Sequence, residues 1–214
     1  AVEMPHPRLD ECVTYFRHAV RLKPDFHAAY FSLVHLLGRV CDWRTWDEDL
    51  GTARRMIMEG KAGLGPIFAL AFPLTDEEMC RVTRTRSQEV IPIINATRPY
   101  FVPWEPRYGN GIRADERLGL AVISADFNYK PVGQLVRHMF KMMDRTRFEI
   151  FCFYADSIDG SHILVDIAHS VDEFFPVKGM EPLRLAELVN NEQPHVLIDF
   201  NGYTEGARLE IGAL

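Results

Sequence analysis

Leu118-Gly119-Leu120-Ala121-Val122-Ile123-Ser124-Ala125-Asp126-Phe127-Asn128-Tyr129-Lys130-Pro131 is the stretch on which the fold turns. Seven residues, apolar but for the closing serine, give way to a polar loop. Proline then stands where a helix begins. A continuous apolar run of this length predicts a strand buried on both faces, the signature of a parallel sheet. Proline suits a first helical turn because its missing N–H would have no partner there. The unit thus reads as strand, loop, helix.

Downstream the same alternation repeats. Residues 131–143 are amphipathic, and 148–154 form a second apolar, aromatic run. A short helix is expected at 162–169, a third strand at 171–175, a helix at 182–190 and a fourth strand at 195–200. The chain should be helical again from Glu205. Strands alternating with helices argue for a parallel sheet with helices on both faces. Right-handed crossovers make the Rossmann-like order 3-2-1-4 the expectation.

In such a sheet ligands bind outside the carboxyl ends of the strands, where the strand order reverses. Two loops would meet there: residues 126–134 after strand one and 201–204 after strand four. In Asn201-Gly202-Tyr203-Thr204-Glu205-Gly206, Gly202 permits positive φ and Thr204 suits a helix N-cap. The loop reads either as an ordinary capped turn or as a helix start whose free N–H groups hold a diphosphate. Lys130 reads either as a solvated surface lysine or as a point charge for phosphate. His195, between Pro194 and an apolar run, reads as structural.

Upstream the chain is helical. Leu9, Cys12, Val13, Phe16, Ala19 and Val20 recur at helical spacing, and Pro24 closes the segment. Tyr30, Leu33, Val34 and Leu37 mark a second helix. Cys12, Phe16, Ala19 and Pro24 take the small, aromatic, small and proline places of a tetratricopeptide repeat. Such a repeat buries its apolar face only against neighbours, so this hairpin must lean on the rest of the chain or on further repeats. Two more helices are expected at 43–60 and 75–95, with Trp43 and Trp46 as packing anchors. Pro99, Pro103, Pro106, Gly109 and Gly111 mark a linker. Gly109-Asn110-Gly111 follows no strand and lacks a third glycine, so it is no dinucleotide fingerprint. Three regions result: the end of a helical repeat array at 1–40, a joint and linker at 41–116, and a truncated Rossmann-like lobe at 117–214. Both ends read as cut.

Composition narrows the partners. A net charge of −6 offers no basic surplus for nucleic acid. Arg81, Arg84 and Arg86 read as a solvated helix face. Cys12, Cys41, Cys80 and Cys152 form no C-x-x-C pair, which argues against a zinc site or disulfide framework and for reduced thiols in the cytoplasm or nucleus. No run of ~18 apolar residues predicts a membrane span. No hydrolase, metalloenzyme or P-loop motif occurs.

Ser124-Ala125-Asp126-Phe127, Phe148-Glu149-Ile150-Phe151-Cys152-Phe153-Tyr154 and Asn201-Gly202-Tyr203-Thr204-Glu205-Gly206-Ala207-Arg208 resemble the first catalytic lobe of protein O-GlcNAc transferases. Cys41-Asp42-Trp43 resembles the point where that family leaves its tetratricopeptide array. The resemblance implies a GT-B-type enzyme of two Rossmann-like lobes that moves GlcNAc from UDP-GlcNAc to Ser or Thr hydroxyls of intracellular proteins. It implies no metal and no cofactor beyond the donor, and acceptor proteins held by the repeats. Protein O-fucosyltransferases share the architecture. By the same resemblance Asp126, Gln134, Asn201, Gly202, Tyr203 and Thr204 would bind substrate, and Lys130 and Glu192 would be catalytic. Where the family shows a His-Pro-x-Ser-His stretch, this chain has Lys130, Pro131, Val132, Gly133 and Gln134. Lysine with an ordinary pKa of ~10.4 is a poor base. An inactive repeat-plus-lobe binding module is therefore the alternative to an enzyme.

Overall fold

The computed structural model describes residues 8–101 and 117–214, in two compact units, Ala1–Glu89 and Val90–Leu214. The readings of Pro103, Pro106, Gly109, Asn110 and Gly111 lie outside the described residues.

The first unit is helical. α1 (Leu9–Leu22) and α2 (His27–Arg39) form the expected hairpin, α3 (Trp46–Met58) and α4 (Pro66–Ala69) follow, and α5 (Asp76–Thr97) runs on into the second unit. Thr75 opens α5 with a reciprocal cap: its backbone N–H donates to Glu78 Oε2 (2.7 Å), and Glu78 N–H donates to its hydroxyl (3.3 Å). α2 is buried on two sides. Leu33, Leu36 and Leu37 pack with Val13 and Phe16 of α1. Phe31 and Val34 join Leu50, Ala53 and Ile57 of α3, with Phe72 and Val82. The second helix of the hairpin therefore finds its neighbour in α3, within this chain. Trp46 packs into that core and meets Trp43 edge-on (centroids 4.8 Å), while Trp43 itself is largely exposed. Of the two, Trp46 is thus the packing anchor, and it is half-buried.

The second unit carries a four-stranded parallel sheet in the order β3-β2-β1-β4. Its strands are β1 (Leu118–Ser124), β2 (Phe148–Tyr154), β3 (Glu173–Pro176) and β4 (Val196–Asp199). This is the order expected from right-handed crossovers. The pleat sends alternate residues to opposite faces. Val122, Ile150, Cys152 and Tyr154 face Val136, Phe140 and the helix α8 (His162–Ala168). Ala121, Ile123, Phe151 and Phe153 face Leu185, Ala186 and Val189 of α9 (Pro182–Asn191). Burial on both faces is why β1 and β2 read as continuous apolar runs.

Two elements differ from expectation. The amphipathic stretch 131–143 is two short helices, α6 (Pro131–Val136) and α7 (Met139–Met142). Val136 and Phe140 still reach the same core, so the apolar spacing was blind to the break. After residue 204 the chain does not enter an α-helix. It runs through turns to a short 3-10 segment, Ile211–Ala213. Gly206 holds φ +82°, and its Cα lies so near Ala125 that a Cβ would stand 2.6 Å from the Ala125 methyl. The loop is pressed against the end of β1 instead of winding into a helix.

Candidate functional site

β1 lies between β2 and β4, so the loops leaving β1 and β4 meet at the carboxyl edge of the sheet, at its switch point. A buried polar knot joins them. Asn201 sends its side-chain carbonyl to the Ala125 N–H. Its amide donates to Asp126 Oδ2 (3.4 Å), Thr204 Oγ1 (2.5 Å) and the Glu205 carbonyl (3.3 Å). The Thr204 hydroxyl lies 2.8 Å from Asp126 Oδ2 and 3.0 Å from the Asn201 carbonyl. Asp126 and Asn201 are both buried. Burying a carboxylate is costly unless donors surround it, and this one has three within reach.

The third donor is Lys130. Its ammonium sits 2.7 Å from Asp126 Oδ1, 3.2 Å from the Ala125 carbonyl and 3.7 Å from Asp156 Oδ2. Burial alone would push the Lys130 pKa down. Its hydrogen bond to Asp126 and the charges of Asp126 and Asp156 outweigh that, and the net shift is upward. Lys130 is therefore a firm cation, still 40% exposed. It cannot act as a base at neutral pH, but it can offer charge to an anion.

Local sequence places these groups. Ser124 Oγ accepts from the Asp126 N–H (3.0 Å) and bends the chain as it leaves β1. Asn128 Oδ1 accepts from the Lys130 N–H (3.1 Å), and its amide donates to the buried Tyr154 hydroxyl (3.1 Å). Gly133 lies so close beneath that a Cβ there would come within 2.1 Å of the Asn128 carbonyl oxygen, so no other residue fits. In the second loop Asp199 accepts from the Asn201 N–H (2.7 Å) and the Gly202 N–H (3.1 Å). Gly202 takes φ +57° there.

The structure thus brings Asp126, Lys130, Asn201 and Thr204 together, with Gly202 and Tyr203 on the same loop. Gln134 donates its amide to the Tyr129 carbonyl (2.7 Å), which binds it to its own loop. Thr204 is no helix cap, since no α-helix follows it; it ties the loop to Asp126 instead. The helix-start cradle expected at Thr204 is absent for the same reason. Glu192 is not brought to the crevice. It ends α9 ahead of β4, and its charged neighbours Glu149 and Glu173 stand at the starts of β2 and β3, the opposite edge of the sheet. A strand of seven residues separates those edges by roughly 20 Å. His195 is structural as read: its Nδ1 accepts from the Gly119 N–H at 2.8 Å.

Three groups escaped the sequence reading. Asp199 and Asp156 close strands four and two, and Lys178 follows strand three. Each is an ordinary charged residue at or just past a strand's end, and only the sheet order places all three on the edge that holds Lys130.

Comparison with known proteins agrees with this architecture. The family model described as Glycosyl transferase family 41 matches residues 40–214. The chain is 28% identical over 190 residues to a probable UDP-N-acetylglucosamine–peptide N-acetylglucosaminyltransferase of Arabidopsis thaliana, covering 85% of this chain and 19% of that protein. It is 25% identical over 185 residues to the Caenorhabditis elegans UDP-N-acetylglucosamine–peptide N-acetylglucosaminyltransferase, covering 82% of this chain and 16% of that one. Among solved structures, a mutant O-GlcNAc transferase of Thermobaculum terrenum superposes with a TM-score of 0.63 at 20% identity, over 94% of this chain and 38% of that chain. The chain spans less than a fifth of the length of these curated relatives.

Proposed function

The chain belongs to glycosyl transferase family 41, and from that premise we propose that it forms the first lobe of a protein O-GlcNAc transferase. The donor is UDP-GlcNAc, and the acceptor is a Ser or Thr hydroxyl of a protein in the cytoplasm or nucleus. The helical unit, as the end of a tetratricopeptide array, holds the acceptor polypeptide. No metal or further cofactor takes part.

One observation carries the reading. A half-buried lysine cation stands at the sheet's switch point, anchored by a buried carboxylate that also joins the β1 and β4 loops. In the transfer the acceptor oxygen bonds to the anomeric carbon as the bond to the diphosphate breaks, and the hydroxyl's proton passes to the departing diphosphate or to solvent. Negative charge grows on the departing phosphates, and a preorganised cation stabilises it. Lys130 is suited to that task and unsuited to taking the acceptor proton. Asn201, Thr204 and Asp126 keep the crevice in shape, since their polar atoms are largely spent on one another.

A second reading is favoured by the same lysine. Where the family motif carries a histidine this chain has a firm cation, which fits a binding module that recruits proteins without transfer. The two part in one assay. The full-length protein is incubated with labelled UDP-GlcNAc and a Ser/Thr-containing acceptor peptide. Label in the peptide is expected. Peptide binding without label would establish the binding module and overturn the transferase.

A further inference from the structure

The carboxyl edge of the sheet carries a ladder of alternating charge that the crevice alone does not explain. Asp126 follows β1, Asp156 follows β2 and Lys178 follows β3. Lys130 reaches Asp126 at 2.7 Å and Asp156 at 3.7 Å. Lys178 reaches Asp156 at 2.9 Å and the Ser157 hydroxyl at 2.5 Å. The Ser157 N–H also donates to Asp156 Oδ1 (2.7 Å). Val177 is pinned to β2 by its N–H bond to the Tyr154 carbonyl (2.8 Å), which fixes where Lys178 starts.

We propose that Lys178 is a positioning residue for this site: by holding Asp156 it leaves the Lys130 ammonium free to meet an anionic substrate group. The inference rests on the transferase reading above. The two counter-ions of Lys130 are unequal. Asp126 is buried and in direct contact, so it stays. Asp156 is a third exposed and more distant, so it is the one an incoming phosphate displaces. Releasing a carboxylate from its cation is costly unless another cation remains on it. Lys178 is that cation. The hydrogen bond from Lys178 is the main cause that holds the Asp156 carboxyl below its usual range, with Lys130 contributing least. Without Lys178, Asp156 would lean on Lys130 and compete with the substrate for it.

The test is binding of UDP to the full-length protein, followed by calorimetry. Lys178→Met, which removes the charge and keeps the length, should weaken UDP binding by about fivefold, a size expected of a partly exposed charge pair. Lys178→Arg should bind as wild type does. Adding Asp156→Asn to Lys178→Met should restore affinity to within about twofold, because the competing carboxylate is gone. That rescue separates positioning from direct contact: a lysine that itself touched phosphate would not be rescued. Unchanged binding in Lys178→Met, or no rescue in the double variant, overturns the inference and leaves the transferase reading standing. Failure of the wild-type protein to bind UDP overturns both.

Discussion

Lys130 shows how one side chain's role is set by what surrounds it. In sequence it is a lysine ahead of a proline. In the structure it is clamped by Asp126 and the Ala125 carbonyl, with its pKa raised. On the proposed transferase reading, Lys130→Ala should lower kcat or weaken donor binding about tenfold or more in the full-length protein, because the charge offered to the diphosphate would be gone. Lys130→Arg should retain most of either, since charge is what matters. Kinetics of the three proteins at saturating acceptor decide this. Equal activity of wild type and Lys130→Ala would make Lys130 a surface lysine. Asp126 could be picked out beforehand as a strand-end carboxylate. That its oxygens are already claimed by Thr204, Asn201 and Lys130 could not, because two of those partners lie 75 or more positions away.

At the scale of elements, β1 and β2 were legible because they are buried on both faces and therefore apolar along most of their length. β3 and β4 have four residues each and exposed ends, and their bounds shift by a residue or two from expectation. The end of α9 carries a testable cost. Glu192 is pushed up chiefly by burial, then by the charges of Glu173 and Glu149. A carboxyl whose pKa is higher folded than unfolded binds its proton more tightly in the native state. Its penalty is absent well below the unfolded value of ~4.3 and sets in as pH rises through that value to the folded one. Glu192→Gln should therefore stabilise the chain at pH 7, by about 0.5 kcal/mol given its partial exposure, and have no effect near pH 3. Denaturant melts at the two pH values check it. An equal gain at both would mean that charge is not the cause. A catalytic Glu192 would instead lose transfer activity in this variant, which its place at the far edge of the sheet argues against.

At the scale of the molecule, the lobe presents one wall of a crevice. Its relatives are more than five times as long as the matched region, and on the proposed transferase reading the donor site takes its other wall from a second lobe. The 214-residue chain by itself should not transfer sugar. Incubation with labelled UDP-GlcNAc and acceptor peptide should leave the peptide at the level of a no-protein control, and turnover above that level would refute the two-lobe requirement. The helical unit makes a parallel point about neighbours. α2 needs two partners for its two apolar faces and finds them in α1 and α3, so residues after 41 share a core with the hairpin before them.

The amino-acid sequence by itself determined the alternation of strands and helices, the parallel sheet with β1 inside it, and the two loops that meet at its carboxyl edge. These follow from local burial periodicity and from chirality, which act on neighbours along the chain. Tertiary structure alone decided the rest: that Asn201 and Thr204 close on Asp126, that the chain after Thr204 turns instead of winding, that Glu192 stands at the opposite edge, and that Asp156 lies between Lys130 and Lys178. Those outcomes depend on groups tens of residues apart being brought together by the fold. A buried charge takes its partners from whatever the fold brings within ~3 Å, and no periodicity records that distance.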